Sequence, residues 1–386
     1  MDKMNRKEKT CKVKHLAAAL LALGVGLCSG CGKEAADTGE TTEIFDSYTI
    51  SPAGVLRVEN SRYLRFYSRE EDSTVYLCNQ AGCSHRDEAC SAYVENLRAA
   101  FFCHDDLYYI QSVDGTGTRV IRANRYGENR EPVGETDVSF GTYRTSVDGD
   151  TLYFIGDKWE DGEDASIRGL YTFRLSDGTL TAFPQEDTGY LISNLSRYLV
   201  SDRYIYTMYT ASDIDLNDYF NEETGVYEGI DLTSVVYTQL LYRTDRKTGE
   251  TELLIQEDGD ELTILEAEGE GYIVRWQDNI LRYEGTERAE ILYTYEGETR
   301  DWTIKPLGEK YLITERLPEC WQFRILEDFQ EKGIFADPAG EVNYYYGTVE
   351  DTLYFGGNPL GDKNTLYYME MEDFEAGNYE FHITDI

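Results

Sequence analysis

The sequence of 386 residues predicts an all-β protein, a β-propeller of seven four-stranded blades, with six and eight blades as the neighbouring alternatives. Three observations predict this fold. A self-similar unit returns along the chain at a spacing of roughly 40–50 residues, which is typical of propeller blades. Tyrosine is abundant, with 32 residues, while proline is scarce, with 7. No long amphipathic helix interrupts the period-2 pattern of the strand-like runs.

Each unit joins an apolar and aromatic run, placed after a polar turn, to a second run that leads through an Asp/Gly-rich turn into a further strand. Such a blade buries its faces only against its neighbours, so closure into a ring would stabilise the array. The first runs of the seven units are Tyr63–Phe66, Leu107–Ile110, Leu152–Ile155, Tyr204–Tyr206, Tyr272–Val274, Tyr311–Ile313 and Leu353–Phe355.

The N-terminus has the features of a secretory signal. Six basic residues lie within residues 1–14, the apolar run "HLAAALLALGVGL" follows, and small residues lead to Cys31. The apolar run is too short to span a bilayer as a helix of the mature protein. The stretch Ser29–Cys31 resembles a bacterial lipobox, although Cys28 stands where leucine is usual. The resemblance implies a lipoprotein signal peptide over residues 1–30 and a lipidated Cys31. The alternative is an ordinary signal peptide with an incidental cysteine.

Residues 31–46 are polar, acidic and poor in large apolar side chains, which predicts a flexible tether. The propeller domain is then expected over residues 47–386. The formal net charge of −37 disfavours nucleic acid as a partner, because phosphates need cations, and we expect no nucleic acid to bind. It also disfavours docking of the protein surface on anionic lipid. We expect a monomer that the lipid alone holds at the extracellular face of the cell membrane.

An acidic and aromatic insertion, residues 211–234, lengthens the fourth unit. Its first aspartates resemble the start of a calcium loop, but Asp218 stands where such a loop needs glycine. A mobile loop at the rim of the propeller is therefore the preferred interpretation. Propellers place specificity on insertions of this kind. We expect Asp213, Asp215, Asp218 and Tyr219 to contact a ligand.

The segment "LCNQAGCSHRDEAC" concentrates Cys78, Cys83, His85 and Cys90 within 13 positions. Three thiolates and one imidazole form a closed set of four ligands that suits tetrahedral zinc. Because no coordination position is left for a catalytic water, such a zinc ion would be structural. A disulfide is the first alternative in an oxidising compartment, although the 5 cysteines after Cys31 would leave one thiol over. Free thiols are the second alternative.

The cysteine segment follows a strand-like run at residues 74–77, where other units carry a tight turn. We therefore expect it to replace or extend an outer hairpin turn of the first blade and not to face the central channel. His104, beside Cys103, is a further candidate ligand at the start of the next blade. The pattern C-x-x-C-H is absent from the sequence, which argues against attachment of a c-type haem.

Recognisable catalytic sets are missing from the sequence. It contains neither a G-x-S-x-G nucleophile motif nor an H-E-x-x-H zinc motif, and 3 histidines remain after the signal peptide. Acidic residues are so frequent that sequence proximity does not single out the acid/base pair of a glycosidase. The tyrosines are expected to pack between blades; platforms for sugar rings are the alternative.

The lipobox, the acidic tether, the tyrosine-rich repeats and the cysteine segment together resemble bacterial lipoproteins with an LDL-receptor-related-protein-like β-propeller domain of unknown function. They resemble, more distantly, the propeller of TolB-like proteins. The family pattern C-x-x-x-x-C-x-H, followed by another cysteine, matches Cys78, Cys83, His85 and Cys90. The family's proline between the first two cysteines is missing here. The resemblance implies a surface-anchored propeller and supplies no established activity.

The sequence thus predicts a membrane-anchored propeller that binds a protein or glycan ligand without catalysis, with structural zinc as its one candidate cofactor. The alternative is a carbohydrate-active enzyme, of the glycosidase or lyase type, on a propeller scaffold. Acidic groups clustered at one mouth of the channel, beside exposed tyrosine or tryptophan, would distinguish the enzyme from the binding module.

Overall fold

The computed structural model describes residues 42–384, except for the gaps at 46–47, 52–53, 69–70, 72, 142–144, 160–165, 184–187, 191, 222–225, 232–233, 260–261, 298, 300–301, 319, 338 and 358–364. The described chain forms seven antiparallel four-stranded blades arranged in a ring. The predicted seven-bladed β-propeller is therefore confirmed.

Each blade uses consecutive stretches of chain, with its first strand at one edge of the sheet and its last strand at the other. Strand β1 is Thr42–Phe45 and precedes the first blade. Blade one contains β2 (Tyr48–Ser51), β3 (Gly54–Glu59), β4 (Tyr63–Ser68) and β5 (Ser73–Tyr76). Blade two contains β6 (Leu97–Cys103), β7 (Asp106–Val113), β8 (Gly117–Asn124) and β9 (Glu131–Thr136).

Blade three has a first strand in two pieces, β10 (Val138–Phe140) and β11 (Thr145–Asp148), followed by β12 (Thr151–Trp159), β13 (Ser166–Arg174) and β14 (Leu180–Ala182). Blade four contains β15 (Ile192–Val200), β16 (Tyr204–Ser212), β19 (Thr238–Asp245) and β20 (Thr251–Asp258). Its insertion holds a 3₁₀ helix (Leu216–Tyr219) and a small hairpin of β17 (Phe220–Asn221) and β18 (Val226–Tyr227).

Blades five to seven follow the same order. Blade five contains β21 (Thr263–Glu268), β22 (Gly271–Trp276), β23 (Asn279–Glu284) and β24 (Glu287–Thr294). Blade six contains β25 (Trp302–Leu307), β26 (Lys310–Arg316), β27 (Trp321–Glu327) and β28 (Gln330–Ala336). Blade seven contains β29 (Val342–Val349), β30 (Thr352–Gly357), β31 (Thr365–Glu370) and β32 (His382–Thr384), with helix α1 (Met371–Ala376) before its last strand.

The second strand of each blade is strongly apolar because neighbouring blades cover both of its faces. All six residues of β30 are buried, and so are the first six of β16. The fourth strands lie at the rim, and β20 is accordingly mostly exposed. Aromatic and β-branched residues favour pleated surfaces that are covered in this way, which accounts for the tyrosine-rich composition.

The core is divided into separate clusters, one at each junction between neighbouring blades. Seven clusters of buried apolar side chains are present in the described part of the chain, and each joins two neighbours. At the junction of blades six and seven, Phe323 lies 5.0 Å from Phe335 and 5.5 Å from Phe355 between ring centroids. Burial of one such side chain contributes about 1.5–3 kcal/mol. Stability is therefore built junction by junction, as the repeat predicts.

The ring closes without a strand shared between blade seven and blade one among the described strands. Side chains make this closure: Tyr48 and Tyr67 of blade one are buried against Tyr354 and Leu366 of blade seven. Strand β1 reinforces the start of the ring by pairing with both β2 and β11. It thereby connects blade one to blade three through backbone hydrogen bonds.

Strand β1 lies within residues 31–46, which the sequence assigns to the flexible tether. Ile44 is 1% exposed and belongs to the core between blades two and three. The predicted tether therefore extends too far along the chain, since the folded domain already includes Thr42–Phe45. The error has a physical reason, because the pairing partner of Thr42 is Val147, and composition alone does not reveal a partner so distant in sequence.

The first sequence unit is displaced by one strand from the other six. Tyr63–Phe66 belongs to β4, the third strand of its blade, whereas the matching runs of the other units lie on second strands. The actual second strand, β3, reads "GVLRVE" and carries no aromatic residue. The cysteine segment consequently follows the outermost strand and connects two blades. Its predicted position in a hairpin turn within blade one is wrong.

Candidate metal centre

The cysteine segment, residues 77–96, runs from the outer strand β5 of blade one to the first strand β6 of blade two. Both of its ends are held by β4 and the turn before it. The N–H of Leu77 donates to the carbonyl of Leu64 at 3.0 Å, and the N–H of Val94 donates to the carbonyl of Arg62 at 2.7 Å. The segment therefore leaves the blade and returns to it as a closed loop, and this loop carries the four candidate ligands.

The loop brings Cys78, Cys83, His85 and Cys90 together, as the sequence predicts. Their ligand atoms all lie within 4.8 Å of one another. Nδ1 of His85 lies 3.2 Å from Sγ of Cys90. Zinc–sulfur bonds of about 2.3 Å in a tetrahedron place the sulfur atoms about 3.8 Å apart. A contraction of about one ångström at most would therefore complete a zinc site.

Each cysteine of the cluster receives a backbone N–H from the residue two positions further along. The N–H of His85 donates to Sγ of Cys83 at 3.4 Å, and the N–H of Ala92 donates to Sγ of Cys90 at 3.4 Å. Cys78 accepts the corresponding bond in the same way. Hydrogen bonds of this kind favour the thiolate, which is the form that binds a metal ion.

The backbone of the loop contains tight turns that bring the four candidate ligands to one place. Gly82 and His85 both have positive φ, 75° and 52°. Glycine adopts this conformation freely, whereas for other residues a sparsely populated backbone conformation costs on the order of 1–3 kcal/mol. The His85 ring stacks on Tyr76 with 4.4 Å between ring centroids and an interplanar angle of 22°. This contact holds the imidazole with Nδ1 toward the cysteines.

Polar side chains close the loop on itself. The N–H of Asn79 donates to Oγ of Ser91 at 2.9 Å, and the Ser91 hydroxyl donates to Oδ1 of Asn79 at 2.8 Å. The side-chain amide of Gln80 donates to the carbonyl of Ala89 at 2.8 Å. These bonds join the two halves of the loop, one with Cys78 and the other with Cys90. Such supporting contacts orient ligands before a metal ion arrives.

Blade two holds the loop from the opposite side. Arg130, in the turn between β8 and β9, donates from Nη1 to the carbonyl of Tyr93 at 2.8 Å and from Nη2 to the carbonyl of Ser91. The side-chain amide of Asn79 donates to Glu128 of the same turn. The cluster therefore lies at the junction of blades one and two, where a bound ion would fasten one blade to the next.

The thiols of the cluster differ in acidity. Burial raises the pKa of Cys78, but hydrogen bonds from the Ser91 side chain and from backbone N–H groups outweigh it and lower the pKa to about 6. Burial, together with side-chain hydrogen bonds to Cys83 and Cys78, raises the pKa of Cys90 to about 12. Near pH 7 the metal-free cluster therefore holds Cys78 as a thiolate and Cys90 as a thiol. A metal ion that binds all three sulfurs must displace the remaining protons.

The disulfide alternative is less well supported than the metal site. All 5 cysteines in the described part of the chain are free thiols. A disulfide requires two sulfur atoms and gives no reason for a histidine nitrogen beside them, whereas a zinc site requires four convergent donors. Cys103 lies apart from the cluster and donates to the carbonyl of Gly149 at 3.2 Å. His104 is not a member of the donor group.

The predicted ligand residues of the blade-four insertion do not form a comparable group. Asp213, Asp218 and Tyr219 are exposed, and Asp215 is half-buried. Among the residues that the structure describes, the cysteine cluster is the only set of three or more candidate metal ligands. Binding of a ligand by the insertion stays a prediction.

The lipid anchor is not tested by the described part of the chain. The signal peptide, residues 1–30, and the predicted lipidation site Cys31 lie outside the described residues. Within those residues, no helix has the length and apolar character needed to cross a membrane.

The sequence does not indicate the residues that support the cluster. Tyr76 reads as an ordinary strand tyrosine, and Glu128 and Arg130 belong to a turn of another blade. Two of the supporting residues could have been found from the sequence. Asn79 and Ser91 stand one position beyond the first and last cysteines of the cluster, where a hydrogen bond across the loop is expected.

Comparison with known proteins supports the β-propeller fold and does not identify a family or an activity. Neither a family model nor a curated protein matches this chain. The β-propeller domain of the trilobed protease from Pyrococcus furiosus, described as having an open velcro topology, is similar at 9% identity and a TM-score of 0.50, covering 89% of this chain and 98% of that one. The shared feature is the propeller fold.

Two further solved structures are similar over most of this chain. An oligogalacturonate lyase in complex with manganese gives 14% identity and a TM-score of 0.49, covering 72% of this chain and 73% of that one. An acylaminoacyl peptidase gives 13% identity and a TM-score of 0.47, covering 74% of this chain. This chain spans only 45% of the length of that peptidase.

Proposed function

We propose that this chain is a lipid-anchored, extracellular β-propeller that acts as a binding module, with its first two blades fastened together by a structural zinc ion. The convergence of Cys78, Cys83, His85 and Cys90 at one blade junction carries the zinc part of this proposal. Three thiolates and one imidazole fill a tetrahedral coordination sphere. Since no position remains for water or substrate, the ion stabilises the fold and takes no part in catalysis.

Purified protein, kept free of chelators, is expected to contain one zinc ion per chain. Thiol counts provide the second measurement: Cys78, Cys83 and Cys90 should resist alkylation until a chelator removes the metal. After chelation at pH 7, Cys78 should react first, because its pKa is lowered to about 6 while that of Cys90 is raised to about 12. A zinc-free protein with a Cys78–Cys90 or Cys83–Cys90 disulfide would contradict the proposal.

The binding role is supported by the insertion of blade four. Its hairpin exposes Phe220 by 43%, Val226 by 52% and Tyr227 by 42%, and the two aromatic rings lie 5.2 Å apart between centroids. Exposed apolar groups collected on one projecting element are typical of interaction sites. None of its described residues, 220–221 and 226–227, belongs to a core cluster between blades.

If a lipid on Cys31 anchors the protein, substitution of Cys31 should change the protein's membrane association. Cys31→Ala should release the protein from the membrane fraction into the medium or soluble extract, because the proposed lipidation of Cys31 is the source of its membrane affinity. Fractionation followed by immunoblotting measures this, with Cys320→Ala as the control that should stay membrane-bound. Membrane retention of the Cys31 variant would count against the anchor.

A further inference from the structure

A cleft of about 280 Å³ opens between blades two and three, and none of its lining residues belongs to the cysteine segment. It lies where β6 begins and β7 ends in blade two, and where β10 pairs with the end of β12 in blade three. The cleft is lined by Arg98, Ser112, Gly115, Ser139, Phe140, Asp157 and Trp159.

The walls of the cleft combine one aromatic face with several polar groups. Trp159, at the end of β12, is 46% exposed, so part of its ring is accessible to a ligand in the cleft. Phe140 is 8% exposed and packs 5.3 Å from Phe154 in the core, so it forms a rigid inner wall. Ser112 and Ser139 add half-buried hydroxyl groups. An aromatic face beside hydroxyl groups is complementary to a ring with one apolar face and a hydroxylated edge.

Arg98 gives the cleft an unbalanced positive charge in a strongly acidic protein. Other arginines of this region are paired: Arg119 lies 2.7 Å from Glu135, and Arg168 contacts Asp157 at 3.1 Å. Asp157 is therefore already neutralised at the cleft. Arg98 is exposed, and none of the ion pairs among the described residues includes it. A guanidinium in this position is suited to a carboxylate, which it can bind through two parallel hydrogen bonds.

We propose that this cleft binds a sugar ring that carries a carboxylate, that is, a uronic acid unit of a glycan. The proposal rests on the binding function proposed above and names its ligand class. Trp159 stacks against the apolar face of the ring, Arg98 pairs with the carboxylate, and Ser112 and Ser139 bond to ring hydroxyls. The cleft is slightly smaller than the roughly 300–1,000 Å³ of pockets that hold drug-sized ligands, so it accommodates one ring.

The same face of the propeller carries the blade-four insertion. Because the blades follow one another in the same strand order, the ends of their second strands lie on one face of the ring. Trp159 stands at the end of the second strand of blade three, and the insertion leaves from the end of the second strand of blade four. The cleft and the start of the insertion therefore lie on the same face of the ring.

Titration with methyl glucuronide, followed by tryptophan fluorescence and calorimetry, tests the proposal, with methyl glucoside as the uncharged comparison. The glucuronide should bind at least about tenfold more tightly, since a charge-assisted hydrogen bond is roughly twice as strong as a neutral one. Arg98→Gln should remove this preference, and Trp159→Ala should abolish binding of both sugars. Arg119→Gln, an exposed arginine of the same blade, should change neither affinity.

Three results would overturn the inference: equal binding of the two sugars, glucuronide binding that survives both cleft variants, or no glucuronide binding to the intact protein. Both substituted side chains are exposed, and circular dichroism would establish that the variants fold. A glycan array separates this inference from the wider proposal. Binding of glycans that lack a uronic acid, unchanged in the cleft variants, would refute the cleft as the site and leave the binding function standing.

Discussion

Cys90→Ser is expected to abolish zinc binding and to lower the free energy of unfolding by about 4 kcal/mol when free zinc stands at about 1,000 times its dissociation constant. Cys90 is the most buried ligand, 2% exposed, and its sulfur is in contact with both His85 and the N–H of Ala92. Serine is nearly the same size, so the change removes a ligand and leaves the packing almost intact. Zinc content and denaturant unfolding, with and without chelator, measure the two effects.

The loss should be confined to the junction that the ion fastens. Hydrogen exchange in residues 77–96 and in the β8–β9 turn should accelerate after chelation, because local opening is limited by the least stable contacts. Blade five, which shares no core cluster with blade one or two, should exchange at an unchanged rate. A uniform acceleration would indicate global destabilisation and not a local fastening.

Cys103→Ser is the matched control for this experiment. Cys103 is also buried, 8% exposed, and donates to the carbonyl of Gly149 outside the cluster. Burial raises its pKa to about 11, so it is a thiol in the folded protein near pH 7. This variant should keep its full zinc content and change stability by about 1 kcal/mol, the size of one hydrogen bond. Equal zinc loss in both variants would contradict the assignment of the ligands.

The sequence predicts the ring of blades because the same pattern of burial recurs in each blade and therefore produces a repeat in the sequence. Second strands are covered on both faces, and this demand recurs once per blade as a readable apolar and aromatic run. Blade one departs from the rule, since β3 contains Val55, Leu56 and Val58 but no aromatic residue. The neighbouring β4, with Tyr63 and Phe66, matches the pattern better. The pattern therefore predicts the number of blades correctly but assigns the wrong strand in blade one, where the second strand is atypical.

The candidate sites differ in how much of them a sequence can show. The four donors of the cluster lie within one short loop, so their spacing alone indicates a shared ligand. Arg130 and Glu128 support that loop from another blade, and only the fold brings them there. The cleft is harder to predict from the sequence, because Arg98 and Trp159 are single residues on strands of two different blades. Neither residue belongs to a motif, and their proximity follows from register alone.

Glu315→Ala is expected to destabilise the propeller by about 3–5 kcal/mol, since it breaks a largely buried ion pair and leaves three donors, on Arg324, Gln322 and Tyr295, without their acceptor. Glu315 is fully buried, 0% exposed, on the second strand of blade six. Gln322 and Arg324 each donate to its Oε1 at 2.5 Å, and the Tyr295 hydroxyl donates to Oε2. Burial and the bond to this carboxylate raise the pKa of Tyr295, which keeps its hydroxyl protonated as a donor.

The second carboxylate on Arg324 provides the control for that prediction. Glu331 accepts from Nη1 of Arg324 at 2.8 Å, but its side chain is 39% exposed. Glu331→Ala should therefore cost less than about 1 kcal/mol, as is usual for an exposed pair. Urea unfolding at constant pH, compared at equal m-values, measures both changes. If the two variants were equally stable, the network around Glu315 would not hold blade six together, and the core between Trp302 and Leu326 would have to supply that stability by packing alone.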